Sequence, residues 1–463
     1  MAACADRELV VASGPPSCTV PPVPPRSTEG ASRAREFRNW AGTERCTPVA
    51  RAEPESEQEI EELVRHSART GLRLKPAGAG HSFSGIACTD GVMLGLDRYA
   101  DVLEVDRERH RVTVQAGIRL ADLGARLREQ EMAMSVLGSI SEQSIAGAIS
   151  TGTHGSGLGF GNLATSVVGM RLVSGRGETL EIDGSKPELL SAARVGLGAL
   201  GVISTVTLQC EPLFNLEEVT EPLGFERALD RLPQLLETHE HVKLWWLPHT
   251  DSIQVYLADR SGRKATRRGL ARRFDESSAS LALFAGLLRA GRARPTMIPA
   301  LNRLVGGSIF KKERRVARSD RVFNVPQIPL HRESEFAVSL DYGVGAMYAL
   351  RDLIQREQLH VNFIVEMRFV AADDIMMSPA YGRDSCQIGA YMFESEGIDR
   401  YFQEFQRIMY AMGGRPHWGK EFSLAGAEIR ELYPMAHRFN ELRQELDPRG
   451  LFASEFVRRL FDD

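Results

Sequence analysis

The sequence predicts an α+β protein of two domains. Its 463 residues exceed what a single hydrophobic core usually organises. Residues 37–130 combine helical patterns with several short strand patterns, and residues 213–410 form a second strand-rich region of different composition. Hydrophobic residues make up 43% and charged residues 25% of the chain, the balance of an ordinary globular protein.

The first domain opens with a predicted helix. Ser56 and Glu59 have the spacing of a capping box, apolar residues recur at helical spacing after them, and Gly71 is placed to end the helix. The runs LRLKP, GVMLGL, VLEVD and RVTVQAG then predict short strands divided by turn residues. Residues 119–131 return to helical spacing, and residues 165–208 continue the strand-rich pattern.

In the second domain, WWLP, IQVYLA and VNFIVEMRFV predict strands, with basic stretches near 260–273 and 311–321. The apolar run Leu281–Leu288 favours a core or interface helix, with a membrane-surface contact as the alternative. The chain closes with HWGKEF, an amphipathic helical stretch at 429–446, and DPRGLF.

Composition excludes several classes of protein. A net charge of −4 gives no reason to expect nucleic acid or an anionic membrane as partner. No segment approaches the roughly 20 apolar residues of a spanning helix. The six cysteines form no CxxC pair and suit reduced thiols, so we expect a cytoplasmic protein. The first 36 residues, rich in Pro, Ala and Ser, predict a disordered tail.

The first motif that carries chemistry is AGAGHSF, residues 77–83. Glycines directly after a strand let the backbone approach a ligand closely and expose N–H groups to an anion. A neutral imidazole at the end of such a loop, here His81, can attack an electrophilic methyl group of a flavin and so anchor it. A glycine turn with a surface histidine is the alternative interpretation of this motif alone.

The second motif is a long run of small and hydroxylic residues, SISEQSIAGAISTGTHGSG at 139–157. Such a chain packs well only against a large partner that accepts hydrogen bonds from its N–H and hydroxyl groups, as a dinucleotide does. Ile140, Ile145 and Ile149 are predicted core anchors, which disfavours a flexible linker. The sequence has no G-x-G-x-x-G that opens a helix and no P-loop fingerprint, so the classical dinucleotide and triphosphate folds are not supported.

The third motif, VNFIVEMRFV, predicts a strand that places Glu366 and Arg368 on one face, with Asn362 and Ile364. Its other face is apolar throughout, including Phe363. A carboxylate beside a guanidinium suits a catalytic site, and a partly exposed surface ion pair is the alternative.

The fourth motif, RPHWGK at 415–420, sets His417, Trp418 and Lys420 between helix breakers. It predicts a site-like loop without specifying a reaction. Metal-ligand spacings and a nucleophile elbow are absent from the sequence, so we expect neither a metal site nor a serine hydrolase.

These motifs, together with VGLGALGVISTVTLQC and EMRFVAADDIMMSPAYGRDSC, resemble the aldonolactone oxidases, a family of vanillyl-alcohol-oxidase-type FAD flavoproteins that includes L-gulonolactone and D-arabinonolactone oxidases. Alditol oxidases are more distant relatives. The resemblance runs from about Phe37 to the C-terminus and is weakest between roughly 260 and 330.

The resemblance implies a two-domain vanillyl-alcohol-oxidase (PCMH-type) fold. Its FAD-binding domain would span residues 37–211 after the tail of residues 1–36, a substrate-binding cap domain would span 212–426, and 427–463 would return to the FAD domain. His81 would carry FAD covalently. The residues implied to line the cofactor are Ala77, Gly78, Ala79, Gly80, His81, Ser82, Ser139, Ser144, Gly147, Ala148, Ile149, Ser150 and Ile203.

The resemblance also implies the substrate site. Glu366, Arg368 and Lys420 match the positions that hold the substrate hydroxyls and the flavin edge, with Glu333 and Tyr391 as further substrate contacts. The last two depart from alditol oxidases, which have glutamine and threonine there. The expected substrate is a sugar lactone, with a sugar alcohol such as xylitol or sorbitol as the alternative.

In this interpretation Glu366 and Lys420 take the hydroxyl proton, and Arg368 stabilises negative charge as the alcohol is oxidised. The resemblance also implies that the position of Gly138 lies beside the flavin edge, where a glycine leaves room for oxygen, so we expect an oxidase that makes hydrogen peroxide. A dehydrogenase that passes electrons to cytochrome c or a quinone keeps the same fold. A protein that uses flavin only structurally is disfavoured, because it would not need this constellation of charged residues.

Overall fold

The structure is a computed structural model that describes residues 36–266, 278–324 and 329–462. The predicted disordered tail lies outside these residues except for Glu36, and the first predicted basic stretch lies partly outside them.

The N-terminal half contains twelve described strands in four sheets. A parallel sheet has the order β3-β5-β4, an antiparallel sheet has the order β10-β9-β11-β7-β6, and two pairs are β1-β2 and β12-β8. The strands are β1 Phe37–Arg38, β2 Arg45–Cys46, β3 Ala50–Ala52, β4 Leu74–Ala77, β5 Val92–Gly95, β6 Val102–Asp106, β7 Arg111–Gln115, β8 Met132–Ala133, β9 Val167–Val173, β10 Thr179–Asp183, β11 Val202–Gln209 and β12 Glu211–Pro212.

The C-terminal half is built on one eight-stranded antiparallel sheet of order β16-β13-β15-β14-β18-β19-β17-β20. Strands distant in sequence are therefore neighbours at its centre, which brings β14 beside β18. The strands are β13 Asn215–Gly224, β14 His241–Trp246, β15 Ser252–Ser261, β16 Glu313–Arg318, β17 Arg332–Ser339, β18 Val365–Val370, β19 Ser385–Met392 and β20 Arg415–Pro416.

Helices cover these sheets, and together they confirm the predicted mixed α+β class. The described α-helices are α1 Glu57–Thr70, α2 Leu120–Glu129, α3 Ile145–Ser150, α4 Pro187–Arg194, α5 Phe225–Asp230, α6 Leu232–Thr238, α7 Ser278–Ala293, α8 Ile298–Ile309, α9 Ser319–Phe323, α10 Gly343–Arg356, α11 Ile398–Ala411, α12 Gly426–Leu432, α13 Ala436–Leu446 and α14 Glu455–Phe461. Short 3-10 helices lie at Gly85–Ala87, Leu163–Ser166, Pro295–Met297 and Leu340–Tyr342.

Helix α1 has the predicted ends. The Ser56 hydroxyl accepts from the Glu59 N–H at 3.2 Å, and Gly71 adopts the left-handed conformation at φ 69° that ends helices. The single amphipathic stretch predicted at 429–446 is wrong in one respect, because the chain leaves the helix after Leu432 and re-enters it at Ala436. Pro434 lies in this gap and has no N–H for a continuous helix.

The chain after α12 packs against the N-terminal half. The Leu74 N–H donates to the Leu451 carbonyl at 2.9 Å, and the Gly175 N–H donates to the Leu446 carbonyl at 2.9 Å. Helix α13 also contacts α4. The C-terminal residues therefore support the parallel sheet that carries the glycine loop, while the domain boundaries drawn from the sequence stay predictions.

The apolar run Leu281–Leu288 lies in α7, beside the eight-stranded sheet. Leu288 is buried with Phe363 and Tyr391, whereas Leu283 is 63% exposed. The burial of Leu288 supports the predicted core or interface helix, whereas Leu283 on the same helix faces the surface. In the ranges that the structure describes, no helix combines the length and apolar character that crossing a bilayer requires.

Candidate active site

Two cavities meet where the halves of the chain face each other. The glycine-loop cavity, of about 100 Å³, lies between residues 76–82 and α3. The sheet cavity, of about 180 Å³, lies over the centre of the eight-stranded sheet. Both are lined by His81, Ser82, Gln143 and Thr151, so the two cavities adjoin at these residues.

The glycine-loop cavity exists because its walls lack side chains. Gly80 has φ 71°, a conformation that residues with a Cβ adopt rarely. A Cβ on Gly78 would collide with the Ser144 hydroxyl. Ser144 caps α3 by accepting from the Gly147 N–H at 3.3 Å, which places the small face of this helix toward the loop.

Ten of the predicted cofactor residues line the glycine-loop cavity, and Ser139 lines the sheet cavity instead. Ala148 and Ile149 line neither cavity, because their side chains lie fully buried on the core-facing side of α3 with Ile145, and their contact with the cofactor stays a prediction. The ten are Ala77, Gly78, Ala79, Gly80, His81, Ser82, Ser144, Gly147, Ser150 and Ile203.

His81 lies at the junction of the cavities and is not the surface histidine of the alternative interpretation. Its ring makes no hydrogen bond to any described residue, and Nδ1 is buried. Burial lowers the pKa of His81, so the imidazole is neutral at neutral pH. A neutral ring with unengaged nitrogens has the nucleophilic character that a covalent flavin anchor requires.

The residues that line the two cavities suit a dinucleotide cofactor. The glycine loop and the capped end of α3 offer close backbone approach and hydroxyl groups, while the wider sheet cavity has charged and aromatic walls. A pyrophosphate and ribityl chain suit the first part, and a flat isoalloxazine ring suits the entrance of the second.

Glu366 is the centre of a buried network in the sheet cavity. Its carboxylate accepts from Trp245 Nε1 at 2.6 Å, from Arg368 at 2.9 Å and from the Tyr391 hydroxyl at 2.7 Å. Arg368 also donates to the Ser139 hydroxyl at 2.6 Å, which ties the sheet to the second motif. Glu366 is only 3% exposed, so the surface ion pair of the alternative interpretation is wrong.

The network fixes the charge of Glu366. Burial opposes ionisation, but Arg368 and Lys243 outweigh it and, with the Trp245 hydrogen bond, lower the pKa of Glu366 to about 2. Burial raises the pKa of Tyr391 well above its ordinary value, so its hydroxyl stays a donor. Glu366 is therefore ionised at neutral pH, and its carboxylate already accepts hydrogen bonds from three donors.

A second carboxylate has a free oxygen. Glu333 Oε2 pairs with the Lys420 ammonium and lies 3.8 Å from His331 Nε2. Glu333 lines the sheet cavity, and its Oε1 is buried and has no partner among the described residues. A buried oxygen without a donor is costly, which indicates that a hydroxyl group of a ligand completes it.

His154, Glu335 and His417 form a buried cluster beside Lys420, with ligand atoms within 4.8 Å of one another. His154 Nε2 lies 2.6 Å from Glu335 Oε1, and Nδ1 lies 2.9 Å from the Gly155 carbonyl. Since both nitrogens of His154 face acceptors, a proton lies between His154 and Glu335. His417 Nδ1 accepts from the Gly419 N–H at 3.1 Å, so its proton is on Nε2. These protons favour a hydrogen-bonded cluster over a metal site.

One part of the third motif differs from its prediction. The strand begins only at Val365, so the alternation does not extend back to Phe363. Phe363 and Ile364 both line the sheet cavity, and the Phe363 ring stacks at 6.1 Å on the Tyr391 ring. The side predicted to be apolar core therefore contributes an aromatic wall.

The sequence motifs include His417 and His154 without giving either a role, and three further site residues were not singled out. Trp245, Lys243 and Glu335 all contact the network or the cavity. A signal was present for one of them, because RESEF places Glu335 on the same strand face as Glu333. For the others the sequence holds no local cue, since their partners lie far along the chain.

Comparisons with known proteins identify the family of this chain. Residues 206–460 match the family model of D-arabinono-1,4-lactone oxidase, and residues 48–183 match that of an FAD binding domain. The chain belongs to the aldonolactone oxidase family. It is an FAD-dependent oxidoreductase that acts on CH–OH groups.

Two relatives illustrate the breadth of the family. The chain is 35% identical over 435 residues to an L-gulonolactone oxidase of Scyliorhinus torazame, covering 92% of this chain and 98% of the relative. It is 36% identical over 429 residues to an L-gulono-1,4-lactone dehydrogenase of Mycobacterium tuberculosis, with the same coverage. A solved structure of a solvent-stable cholesterol oxidase has a TM-score of 0.81 at 15% identity over 93% of this chain and 98% of that chain, which shows a shared fold.

Proposed function

We propose that this aldonolactone oxidase family member oxidises the C2 alcohol of a sugar lactone, L-gulono-1,4-lactone or a close relative, to the 2-keto lactone that leads to an ascorbate-type product. The observation that carries the proposal is the free buried oxygen of Glu333, opposite the occupied carboxylate of Glu366. Glu333 therefore has an oxygen that can accept a proton, whereas the carboxylate of Glu366 is held as an anion by its three donors.

Glu333, Lys420 and Arg368 each have a separate role in the proposed reaction. Glu333 Oε1 accepts the hydrogen bond, and then the proton, of the reacting hydroxyl, while Lys420 holds the other Glu333 oxygen in place. This assigns the proton to Glu333 rather than to Glu366. Arg368, fixed between Glu366 and Ser139, directs positive charge into the cavity, where negative charge develops. FAD, when bound, supplies the acceptor for the two electrons of the alcohol.

Covalent attachment of FAD is the first testable part. We expect denatured wild-type protein to keep its yellow colour and fluorescence in a gel, and His81→Ala to release all flavin on denaturation, because the bond needs a nucleophilic ring. His437→Ala, a surface substitution on α13, is the control and keeps the flavin. Wild-type protein that loses its flavin on denaturation would contradict the anchor.

Oxygen as electron acceptor is the second testable part. A Cβ on Gly138 would lie 3.0 Å from Thr153 Cγ2 and 3.4 Å from the His154 carbonyl. Even one methyl group would therefore reduce the free space beside Gly138 at the edge of the sheet cavity. We expect Gly138→Ala to slow flavin reoxidation by at least about tenfold, a barrier change of about 1.4 kcal/mol, and to leave reduction unchanged.

Stopped-flow mixing of reduced enzyme with oxygenated buffer measures that rate, and peroxide release confirms the product. The alternative is the dehydrogenase activity named for the mycobacterial relative. Wild-type reoxidation no faster than that of free reduced flavin, beside rapid reduction of cytochrome c, would establish the dehydrogenase.

The substrate class is tested by comparing sugar lactones with open-chain sugar alcohols. Phe363 and Tyr391 present stacked rings to the cavity, which suits the flat face of a lactone ring better than a flexible alditol. We expect higher kcat/KM for aldonolactones than for xylitol or sorbitol. A preference for the alditols in steady-state assays would assign the enzyme to the polyol branch.

A further inference from the structure

A third, smaller cavity lies behind the candidate active site. This rear cavity, of about 50 Å³, shares only Ser139 and Arg368 with the sheet cavity, so their hydrogen bond forms the wall between them. Its opposite side is the sheet face formed by β14 and β15. The volume is enough for a few water-sized species, since a cavity needs roughly 10–15 Å³ of such volume to hold one water molecule.

Lys243 is the notable group in the rear cavity. It lies opposite Arg368 on β18 and opposite Tyr256 on β15, so two cations face each other across neighbouring strands. Its ammonium lies 4.7 Å from the Trp245 ring centre and 4.5 Å from the Tyr256 ring centre. The described residues provide these rings but no hydrogen-bond acceptor for the ammonium.

The nearby carboxylates do not neutralise Lys243. Glu366 is occupied by Arg368, Trp245 and Tyr391, and Glu218 is paired with Arg315. Burial lowers the pKa of Lys243 to about 8 despite the opposing effect of Glu366, so at neutral pH most molecules carry the ammonium form. One positive charge is therefore left without a carboxylate of its own in a half-buried cavity, where a counter-ion would stabilise it.

The other polar atoms of the cavity also suit a bound anion. Burial keeps the Tyr256 hydroxyl protonated by raising its pKa, and this hydroxyl has no acceptor among the described residues. Arg368 Nε is likewise buried without an acceptor in the described ranges. Two acceptor groups also line the cavity among the described residues: His241 Nε2, whose ring donates through Nδ1 to the Ser156 carbonyl at 2.7 Å, and the Glu218 carboxylate, which pairs with Arg315 through Oε2. The donors of Lys243, Tyr256 and Arg368 outnumber them.

We propose that the rear cavity binds one small monovalent anion of one or two heavy atoms, such as a halide, between the Lys243 ammonium and the Tyr256 hydroxyl. The anion neutralises Lys243 and removes its repulsion toward Arg368. It therefore stabilises the Arg368–Glu366 pair from behind, and links the ionic composition of the solution to the candidate active site. This site is separate from that of the sugar and does not depend on which sugar is oxidised.

The test uses the flavin-loaded enzyme and bromide as the probe. The temperature midpoint of unfolding is measured as bromide replaces methanesulfonate at constant ionic strength, methanesulfonate being too large for the cavity and unlike a sugar. We expect a saturable rise in the wild type. We expect Lys243→Met to raise the apparent dissociation constant by more than about tenfold. Lys264→Met, an exposed lysine beyond β15, is the matched control and keeps the wild-type response.

Two further measurements keep the proposal falsifiable if Lys243→Met does not fold. Tyr256→Phe keeps the ring beside Lys243 and removes only the hydroxyl, and we expect it to weaken bromide binding severalfold. Crystals grown with bromide should show an anomalous scattering peak in the rear cavity. Anomalous peaks confined to the protein surface, or an equal bromide response in wild type and Tyr256→Phe with no peak inside, would show that the cavity holds water only.

Discussion

Replacing Glu366 by glutamine is expected to lower the rate of flavin reduction by about 10²-fold or more, the scale lost with one preorganised electrostatic group. The carboxylate fixes Arg368, Trp245 and Tyr391 together through three hydrogen bonds. A glutamine has the same shape but only one acceptor oxygen, and its NH₂ group faces donors. Arg368 then loses the carboxylate that pairs with its guanidinium and holds it in its orientation toward the cavity. Anaerobic stopped-flow absorbance of the flavin measures the rate.

The matching change, Arg368→Ala, is expected to lower the same rate by a similar factor, because it removes the positive charge itself. It also leaves Glu366 without its main counter-charge, so we expect a loss of stability on the scale of about 3–5 kcal/mol for a broken buried pair. Both variants should keep their FAD, since neither residue lines the glycine-loop cavity. Arg260→Ala breaks an exposed ion pair on β15 and is the control. Reduction rates near wild type in both site variants would leave the pair with a purely structural role.

Replacing Glu333 by glutamine is expected to have the second large effect, a fall of about 10²- to 10⁴-fold in kcat, as for the loss of a general base. The amide keeps the volume of the side chain and can still meet Lys420 through its oxygen, but it cannot take a proton. KM should change little, because the hydroxyl of the substrate can still hydrogen bond to the amide. Glu313→Gln, on the exposed edge strand β16, is the control.

The outcome separates the two carboxylates. A large fall in kcat for Glu333→Gln, with slower proton transfer seen as a larger solvent isotope effect, supports Glu333 as the proton acceptor. If Glu333→Gln raises KM and spares kcat, Glu333 is only a binding contact. The proton then has to leave through another group of the cavity.

The sequence predicts the parts of this site that depend on local pattern. Small residues after a strand predict the glycine loop, and period-two spacing predicts that Glu366 and Arg368 share a strand face. These rules work because the residues involved are neighbours in the chain. The same rule failed at Phe363, where the strand has not yet begun.

The partners of those residues could not be predicted, because they depend on the order of strands in the eight-stranded sheet. Trp245 reaches Glu366 only because β14 lies beside β18, although 121 positions separate the two residues. His154 meets Glu335 across 181 positions. Such contacts decide whether a carboxylate oxygen already accepts a hydrogen bond or is free to accept one from a substrate. Local sequence patterns do not contain this information. The assignment of the proton to Glu333 therefore required the structure.

Anaerobic mixing of the purified enzyme with L-gulono-1,4-lactone, while the absorbance of the oxidised flavin is followed, tests the central claim most directly. The structure and the family predict rapid and complete bleaching at a rate that saturates with lactone concentration. The same experiment with Glu333→Gln should show bleaching slowed by at least about 10²-fold. Flavin that stays oxidised with this lactone and with related aldonolactones, in protein that holds a full complement of FAD, would contradict the proposed activity.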